Sequence, residues 1–241
     1  GGRWQPALAL LRAMPESRIA PDIISFTSAM SACEKEGKWQ VALALLNLMC
    51  GSHIVPDIIV CSTAMSACEK VGQWQAALAL FGSLSGLRVD PDGIGCNAAV
   101  SACEKGGQWE HALALLVAMP VFRVPPDVVS CNAALSACGT GTQWRLAPAL
   151  LCAMSGFRAS PDTISCNAAL ASCERHGRWQ WSLALLDSME SLGCSPSVVS
   201  CGAAVGACEK CGRRDFAVPL LGGVKTWDTM LEALGPGREK K

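Results

Sequence analysis

Fifteen cysteines among 241 residues are the first candidates for chemistry in this sequence. Cys208 and Cys211 have the C-x-x-C spacing that is used in zinc sites and in redox-active disulfides. A four-ligand zinc site needs a second pair of ligands, and no cysteine or histidine spacing supplies one. Cys208 also belongs to a periodic set of cysteines that is described below. The pattern therefore favours a structural role, and zinc or redox chemistry at Cys208 and Cys211 stays a minor alternative.

The periodic cysteines have the wrong spacing for joint chemistry. Cys96 and Cys103 are seven residues apart, which on a helix is two turns, or roughly 10 Å along the axis. That separation is too large for a disulfide or a shared metal ion. Their positions beside alanine and isoleucine are typical of small buried thiols. We expect reduced, buried cysteines.

Other catalytic patterns are missing as well. The three histidines, His53, His111 and His176, do not begin the H-x-E pattern of a zinc deaminase. The stretch "GGQW" at residues 106–109 lacks the Lys-Ser/Thr and the preceding strand of a P-loop. The acidic residues are either periodic or scattered. We therefore predict no catalytic activity, no metal and no cofactor.

Charge and hydropathy narrow the class of protein. Lysine plus arginine equals aspartate plus glutamate at 20 each, which argues against a strongly basic nucleic-acid binder but leaves room for a local basic stripe. The longest apolar run, residues 112–122, is about half of a membrane-spanning helix. We expect a soluble protein without membrane association. The N-terminus "GGRWQPALALL" resembles neither a signal nor a transit peptide, so we expect a fragment or a chain without its leader.

Three kinds of residue recur every 35 residues, which indicates a repeat protein. An aspartate follows each of the first five periodic prolines and Ser197 follows the sixth; we call these the closing residues. The recurring positions are Trp4, Trp39, Trp74, Trp109, Trp144 and Trp179; Pro21, Pro56, Pro91, Pro126, Pro161 and Pro196; and Cys33, Cys68, Cys103, Cys138, Cys173 and Cys208.

Each repeat is predicted to form two helices. In the third repeat the first helix spans Gly93–Lys105, because an aspartate before it suits a helix N-terminus. Gly106 and Gly107 then end this helix, since glycine accepts the left-handed C-cap conformation. The second helix spans Gln108–Ala118. The predicted buried positions are Ile94, Cys96, Ala99, Val100 and Cys103, followed by Trp109, Ala112, Leu113, Leu115, Leu116 and Met119.

A 35-residue helical hairpin cannot bury both of its apolar faces alone, whereas stacked hairpins can. The predicted fold is therefore all-α, a right-handed α-solenoid. Pro148 and Pro219 predict a kink or a late helix start. The predicted organisation is a partial repeat at 1–22 with a lone second helix at Trp4–Met14; five full repeats at 23–57, 58–92, 93–127, 128–162 and 163–197; a degenerate sixth repeat with a capping helix at 198–232; and a disordered tail at 233–241.

Two stretches, "PDGIGCNAAVSACEKGGQWEHALALLVAM" and "PDVVSCNAALSACGTGTQWRLAPALLCAM", resemble the pentatricopeptide repeat family, with P-type-like 35-residue repeats. One departure concerns a site that is often aromatic in that family. It is Phe26 in the first repeat and cysteine afterwards (Cys61, Cys96, Cys131, Cys166 and Cys201), and it stays apolar. The resemblance implies binding of single-stranded RNA, with one base read by each helical repeat.

The resemblance also implies which residues read the bases. One member of each pair lies five places after the preceding closing residue, and the other is the next closing residue. By resemblance, Asn with Asp favours uracil, Asn with Ser cytosine, Thr with Asp guanine, and Ser with Asp is guanine-like. The expected core is 5′-G-G-U-U-C-3′, read from the N-terminus. The pairs are Thr27 with Asp57, Ser62 with Asp92, Asn97 with Asp127, Asn132 with Asp162, and Asn167 with Ser197.

A β-branched aliphatic residue lies two places after each closing residue, and the resemblance implies that these side chains clamp the bases. Plain core packing is the alternative interpretation of the same pattern. The six positions are Ile24, Ile59, Ile94, Val129, Ile164 and Val199.

A cation follows thirteen places after most closing residues, and the resemblance implies contact with phosphate. The positions are Lys35, Lys70, Lys105, Arg175 and Lys210, with Thr140 as the exception. The alternative is a solvated lysine paired with the glutamate before it, although adjacent residues on a helix diverge. Five phosphate contacts predict that log affinity falls with log salt at a slope of about −3.5.

The leading hypothesis is thus a sequence-selective RNA-binding module that acts in RNA processing, stability or translation. The alternative is a protein-binding α-solenoid without a nucleic-acid ligand, and protein partners on the solenoid surface stay open. We expect a monomer. An organellar location, mitochondrion or chloroplast, is implied by the resemblance alone.

Overall fold

The structure of the protein is a computed structural model. It describes residues 3–141, 143–157, 159–213 and 215–217, and these ranges contain helices and no strand. The predicted capping helix, the tail and Pro219 lie outside the described residues. The α-helices are α1 Trp4–Glu16, α2 Ile23–Lys35, α3 Trp39–Gly51, α4 Ile58–Lys70, α5 Trp74–Ser83, α6 Gly93–Lys105, α7 Trp109–Ala118, α8 Val128–Thr140, α9 Leu146–Ala153, α10 Thr163–Arg175, α11 Trp179–Ser191 and α12 Val198–Lys210; short 3₁₀ helices span Met119–Phe122 and Met154–Phe157.

The even-numbered helices from α2 to α12 share one design and are the first helices of the predicted repeats. Each spans 13 residues and starts directly after a closing residue. In α4 the carboxylate of Asp57 accepts the N–H of Val60 at 2.9 Å and so caps the helix. Such a cap stabilises a helix by about 1 kcal/mol. The predicted helix at Gly93–Lys105 is confirmed.

The two glycines after α6 have different roles, and here the sequence prediction was partly wrong. Gly107 adopts the left-handed conformation, with φ of +68°. Gly106 does not, because its φ is −80°. A Cβ atom at Gly106 would collide with the indole ring of Trp74. Gly106 therefore provides room for a side chain, and Gly107 alone provides the turn.

The second helices begin at the periodic tryptophan in most repeats. Helix α7 starts at Trp109, one residue later than predicted, and α1 extends to Glu16 rather than ending at Met14. Helix α9 starts late, at Leu146, and Pro148 is its third residue. Proline is tolerated in a first turn because the backbone N–H there has no intrahelical partner. The late start predicted from Pro148 is confirmed.

The chain divides into two units, residues 1–137 and 138–241, which we call the N-terminal and C-terminal units. In the N-terminal unit the first helices α2, α4 and α6 pack side by side, while α3 and α5 each pack against two of them. In the C-terminal unit α10 packs against α9, α11 and α12. Each unit is therefore a stack of helical hairpins. No helix in the described part of the chain is both long and apolar enough to cross a membrane.

Most of the predicted core positions are buried. In the third repeat Cys96, Ala99, Val100 and Cys103 of α6 are buried. Ile94 is the exception, because 65% of its surface is exposed. In α7 and at the start of the 3₁₀ helix that follows it, Ala112, Leu116 and Met119 are buried. Trp109, Leu113 and Leu115 are only partly buried. The apolar stripe of α6 thus omits Ile94, whose exposure bears on the candidate site.

Candidate RNA-binding surface

Two of the predicted base-reading pairs are joined by direct hydrogen bonds in the N-terminal unit. The hydroxyl of Ser62 donates to Oδ1 of Asp92 at 2.9 Å. The amide Nδ2 of Asn97 donates to Oδ2 of Asp127 at 2.9 Å. Each bond joins a first helix to the closing residue that caps the next first helix. The stacking of hairpins therefore brings together residues that lie 30 positions apart in sequence.

Asp127 has two structural functions at once. Its Oδ1 accepts the backbone N–H of Ser130 at 2.8 Å and caps α8, while its Oδ2 accepts from Asn97. Burial opposes ionisation of Asp127, but the hydrogen bonds from Ser130 and Asn97 outweigh it and lower the pKa of this carboxyl. Asp127 is thus a carboxylate at neutral pH and can only accept hydrogen bonds.

The fifth pair is joined through a residue that sequence reasoning missed. The hydroxyl of Ser200 donates to Oδ1 of Asn167 at 2.6 Å and lies 3.0 Å from the hydroxyl of Ser197, so Ser200 bridges the predicted pair. The signal for Ser200 was present in the sequence, because serine recurs three places after the closing residue. The recurrences are Ser25, Ser130, Ser165 and Ser200.

The other two pairs are placed differently. The hydroxyl of Thr27 donates to the carbonyl of Ile23 in its own helix at 2.6 Å, and Asp57 caps α4. Asn132 and Asp162 fall in the two different units. The pairing of Asn132 with Asp162 therefore stays a prediction from the sequence.

The six predicted clamp residues do not belong to the core. They occupy the second position of the first helices, and between 58% and 69% of each residue is exposed. The core-packing interpretation of these positions is therefore wrong. An exposed aliphatic side chain beside a polar pair offers an apolar surface to a ligand. These residues are Ile24, Ile59, Ile94, Val129, Ile164 and Val199.

Three of the predicted phosphate-binding cations form ion pairs with the preceding repeat. The Nζ–Oε1 distances are 3.2 Å for Lys70 with Glu34, 2.7 Å for Lys105 with Glu69, and 3.2 Å for Lys210 with Glu174. The glutamate lies 36 residues before its lysine, not next to it as the alternative interpretation supposed. The lysine side chains remain 38–49% exposed. Pairing with glutamate therefore leaves these lysine side chains partly exposed to solvent.

The cation series changes in the fourth repeat. Gly139 and Thr140 stand there in place of the glutamate and the lysine. In the fifth repeat Arg175 occupies the last turn of α10, and in the first repeat Lys35 occupies the last turn of α2. A cation in the last turn of a helix is favoured by the helix dipole. The predicted cations thus share one place at the ends of first helices.

The periodic cysteines are buried, as predicted: Cys33, Cys68, Cys103, Cys138, Cys173 and Cys208. Burial raises the pKa of thiols such as those of Cys68, Cys103 and Cys173 to about 11. They are therefore neutral at physiological pH and poor nucleophiles. Cys211 is exposed, and its thiol donates to the carbonyl of Gly177 at 2.9 Å.

The fold and the surface together define a helical-repeat protein of the α-solenoid class. Comparison with protein-family models identifies the family. The pentatricopeptide repeat domain model matches residues 9–71, and the PPR repeat model matches residues 95–124 and 164–194. These matches cover slightly more than half of the chain. The chain belongs to the pentatricopeptide repeat family.

Solved structures confirm the predicted α-solenoid fold. The chain matches the pentatricopeptide repeat protein PPR10 from maize with 22% identity and a TM-score of 0.57, over 93% of this chain and 37% of that one. PPR10 in complex with an 18-nt psaJ RNA element matches with 21% identity and a TM-score of 0.63, over 98% of this chain and 33% of that one. The chain thus spans about a third of the length of the PPR10 chains.

A third structure is the PPR domain of Arabidopsis thaliana protein-only RNase P 1 (PRORP1) in complex with tRNA. It matches with 16% identity and a TM-score of 0.57, over 72% of this chain and 95% of that one. The comparison with curated protein sequences gave no match. At these identities, the structural matches establish the fold.

Proposed function

We propose that this chain binds single-stranded RNA and reads about one base per repeat, with a preferred core of 5′-G-G-U-U-C-3′. The observation that carries this proposal is the pair of inter-repeat bonds, Ser62 with Asp92 and Asn97 with Asp127. Each bond positions two short polar side chains where neighbouring repeats meet. A base edge needs such a combination of donors and acceptors to be distinguished from the other bases.

The surroundings of these pairs support the same ligand. Exposed aliphatic residues such as Ile59 and Ile94 lie three residues before Ser62 and Asn97 in the same helices. An aliphatic side chain can pack on the face of a base while the polar pair bonds its edge. Two of the solved relatives, PPR10 and the PPR domain of PRORP1, were crystallised with RNA. We propose a binding module without catalysis that acts in RNA processing, stability or translation.

The rival is a solenoid that binds a protein. A net charge of zero and a row of exposed aliphatic residues would suit a peptide as well. A peptide groove, however, has no reason to repeat one polar pair in register along the chain. The repeated pair therefore favours RNA, and protein binding becomes an outcome of the test below.

The test exchanges one base-reading residue in the full 241-residue chain. Asn132→Thr gives the fourth repeat the Thr–Asp combination of the first, so preference at the fourth base should move from uracil to guanine. A change of one hydrogen bond predicts a shift of about threefold to tenfold in relative affinity. Fluorescence anisotropy with 5′-GGUUC-3′ and 5′-GGUGC-3′ cores in otherwise identical oligonucleotides measures it.

Asn47→Thr is the matched control, because Asn47 is an exposed asparagine on a second helix, away from the predicted pairs. It should leave base preference unchanged. Equal affinity of Asn132→Thr and the parent chain for both oligonucleotides would contradict base reading. Absence of RNA binding by the parent chain would favour the protein-binding rival.

A further inference from the structure

A closed hydrogen-bond network surrounds Ser200 in the C-terminal unit. Ser200 is the third residue of α12 and is fully buried. Its hydroxyl accepts the backbone N–H of Ser197 at 3.0 Å and lies 2.6 Å from Oδ1 of Asn167. The hydroxyl of Ser197 lies 3.0 Å from the hydroxyl of Ser200, and it accepts the backbone N–H of Ser200 at 3.3 Å.

The chemistry of this network determines which way the Asn167 amide points. A serine hydroxyl has one proton to donate and two lone pairs that accept. Ser200 accepts from the N–H of Ser197, and the 2.6 Å separation from Asn167 is typical of an O–H···O bond. Ser200 therefore donates its proton to the amide carbonyl of Asn167. Within the described part of the chain, the amide nitrogen Nδ2 of Asn167 is left without a protein partner.

The amide of Asn97 in the third repeat is bonded through its nitrogen, whereas that of Asn167 is bonded through its oxygen. The carboxylate of Asp127 can only accept, so Asn97 must donate to it through Nδ2, at 2.9 Å. Its carbonyl Oδ1 is buried and, among the described residues, has no hydrogen-bond partner. A buried acceptor without a donor is unfavourable, and a donor from a ligand would satisfy it.

The two asparagines therefore leave different atoms for a base. On its Watson–Crick edge uracil has a donor at N3, whereas cytosine has an acceptor at the same atom. The free carbonyl of Asn97 matches the N3–H of uracil, and the free NH₂ of Asn167 matches the N3 of cytosine. This contrast rests on the proposed function, since it concerns how the base-reading pairs work.

We propose that Ser200 is a positioning residue that sets the base preference of the fifth repeat by orienting the Asn167 amide. The junction between the third and fourth repeats provides the comparison. Ser130 occupies the same helix position as Ser200, but Asp127 rather than Ser130 holds Asn97. A closing serine offers no carboxylate, so the orienting bond in the fifth repeat comes from Ser200.

The test compares two nearly isosteric variants, Ser200→Val and Ser200→Thr, in the full chain. Val60 occupies the equivalent position of α4 and is buried there, so a branched side chain fits this site. Two RNA oligonucleotides that differ only by cytosine or uracil at the fifth base are the probes. Ser200→Thr should keep the parent's preference for cytosine, and Ser200→Val should reduce it by about threefold to tenfold. Both variants should keep their preferences at the other bases.

The control is Ser130→Val, which removes the corresponding hydroxyl where Asp127 holds the asparagine, and it should leave the uracil preference at the third base unchanged. A further variant, Ser197→Asp, separates loss of specificity from loss of folding in Ser200→Val. Its carboxylate should accept a hydrogen bond from the amide N–H of Asn167. The preference at the fifth base should then change from cytosine to uracil, a gain that unfolding cannot produce.

Equal discrimination by Ser200→Val and Ser200→Thr would overturn the positioning role of Ser200 while leaving the proposed function intact. Retention of the cytosine preference by Ser197→Asp would overturn it as well. A parent chain that binds neither oligonucleotide, or binds both equally, would overturn the proposed function together with this inference.

Discussion

Single residues in this protein combine a structural role with a proposed role in recognition. Asp127 caps α8 with one carboxylate oxygen and holds Asn97 with the other. Ser200 completes the cap of α12 and also bonds Asn167. Because the same side chains that cap a helix also hold an asparagine proposed to read a base, the geometry of the proposed recognition depends on the geometry of the cap.

The exposed aliphatic residues give the sharpest prediction at the residue scale. Ile94→Ala should weaken RNA binding by about fivefold, which corresponds to about 1 kcal/mol of lost apolar contact with a base. The free energy of unfolding of this variant should differ from that of the parent chain by no more than about 0.5 kcal/mol, because Ile94 is exposed in the free protein. Anisotropy titrations and urea melts measure the two quantities. Val117→Ala, at an exposed aliphatic on α7, should alter neither, and a marked loss of stability in Ile94→Ala would point back to a core role.

At the scale of elements, the sequence determined the helices more reliably than their contacts. The first helix at Gly93–Lys105 was predictable because a cap before it and glycines after it are local signals. The late start of α9 followed from Pro148 for the same reason. Serine recurs at the position of Ser200, but its bond to Asn167 was not predictable, and neither was the packing of Gly106 on Trp74, because each depends on a residue from the preceding repeat. The ion pairs of Lys70 and Lys105 with glutamates of that repeat were missed for the same reason.

The packing of Gly106 against Trp74 predicts an effect on stability. Gly106→Ala should lower the free energy of unfolding by about 1–3 kcal/mol, because the added methyl group overlaps the indole of Trp74. Gly93→Ala is the matched control, since a Cβ there meets no atom within 4 Å and alanine favours a helix. Urea denaturation of both variants measures the difference. Equal stability of the two variants would show that the packing of Trp74 does not require glycine.

At the scale of the whole molecule, the 35-residue period predicted a solenoid, and the resemblance to the pentatricopeptide repeat family implied a modular reader. The solenoid is established by the family and by the solved structures. The reader rests on contacts that the period alone could not supply, such as the bond from Asn97 to Asp127. Five predicted phosphate contacts add a property of the complete surface, since each should release counterions from the RNA.

The most direct test is to select, from a randomised RNA pool, the sequences that this chain binds at two salt concentrations. We expect enrichment of two adjacent uracils followed by cytosine and preceded by two guanines. Log affinity for the enriched RNA should fall with log salt at a slope of about −3.5, from five contacts of about 0.7 each. An enriched pool without the central uracil pair would contradict the base-reading register, and a flat salt dependence would contradict the row of phosphate-binding cations.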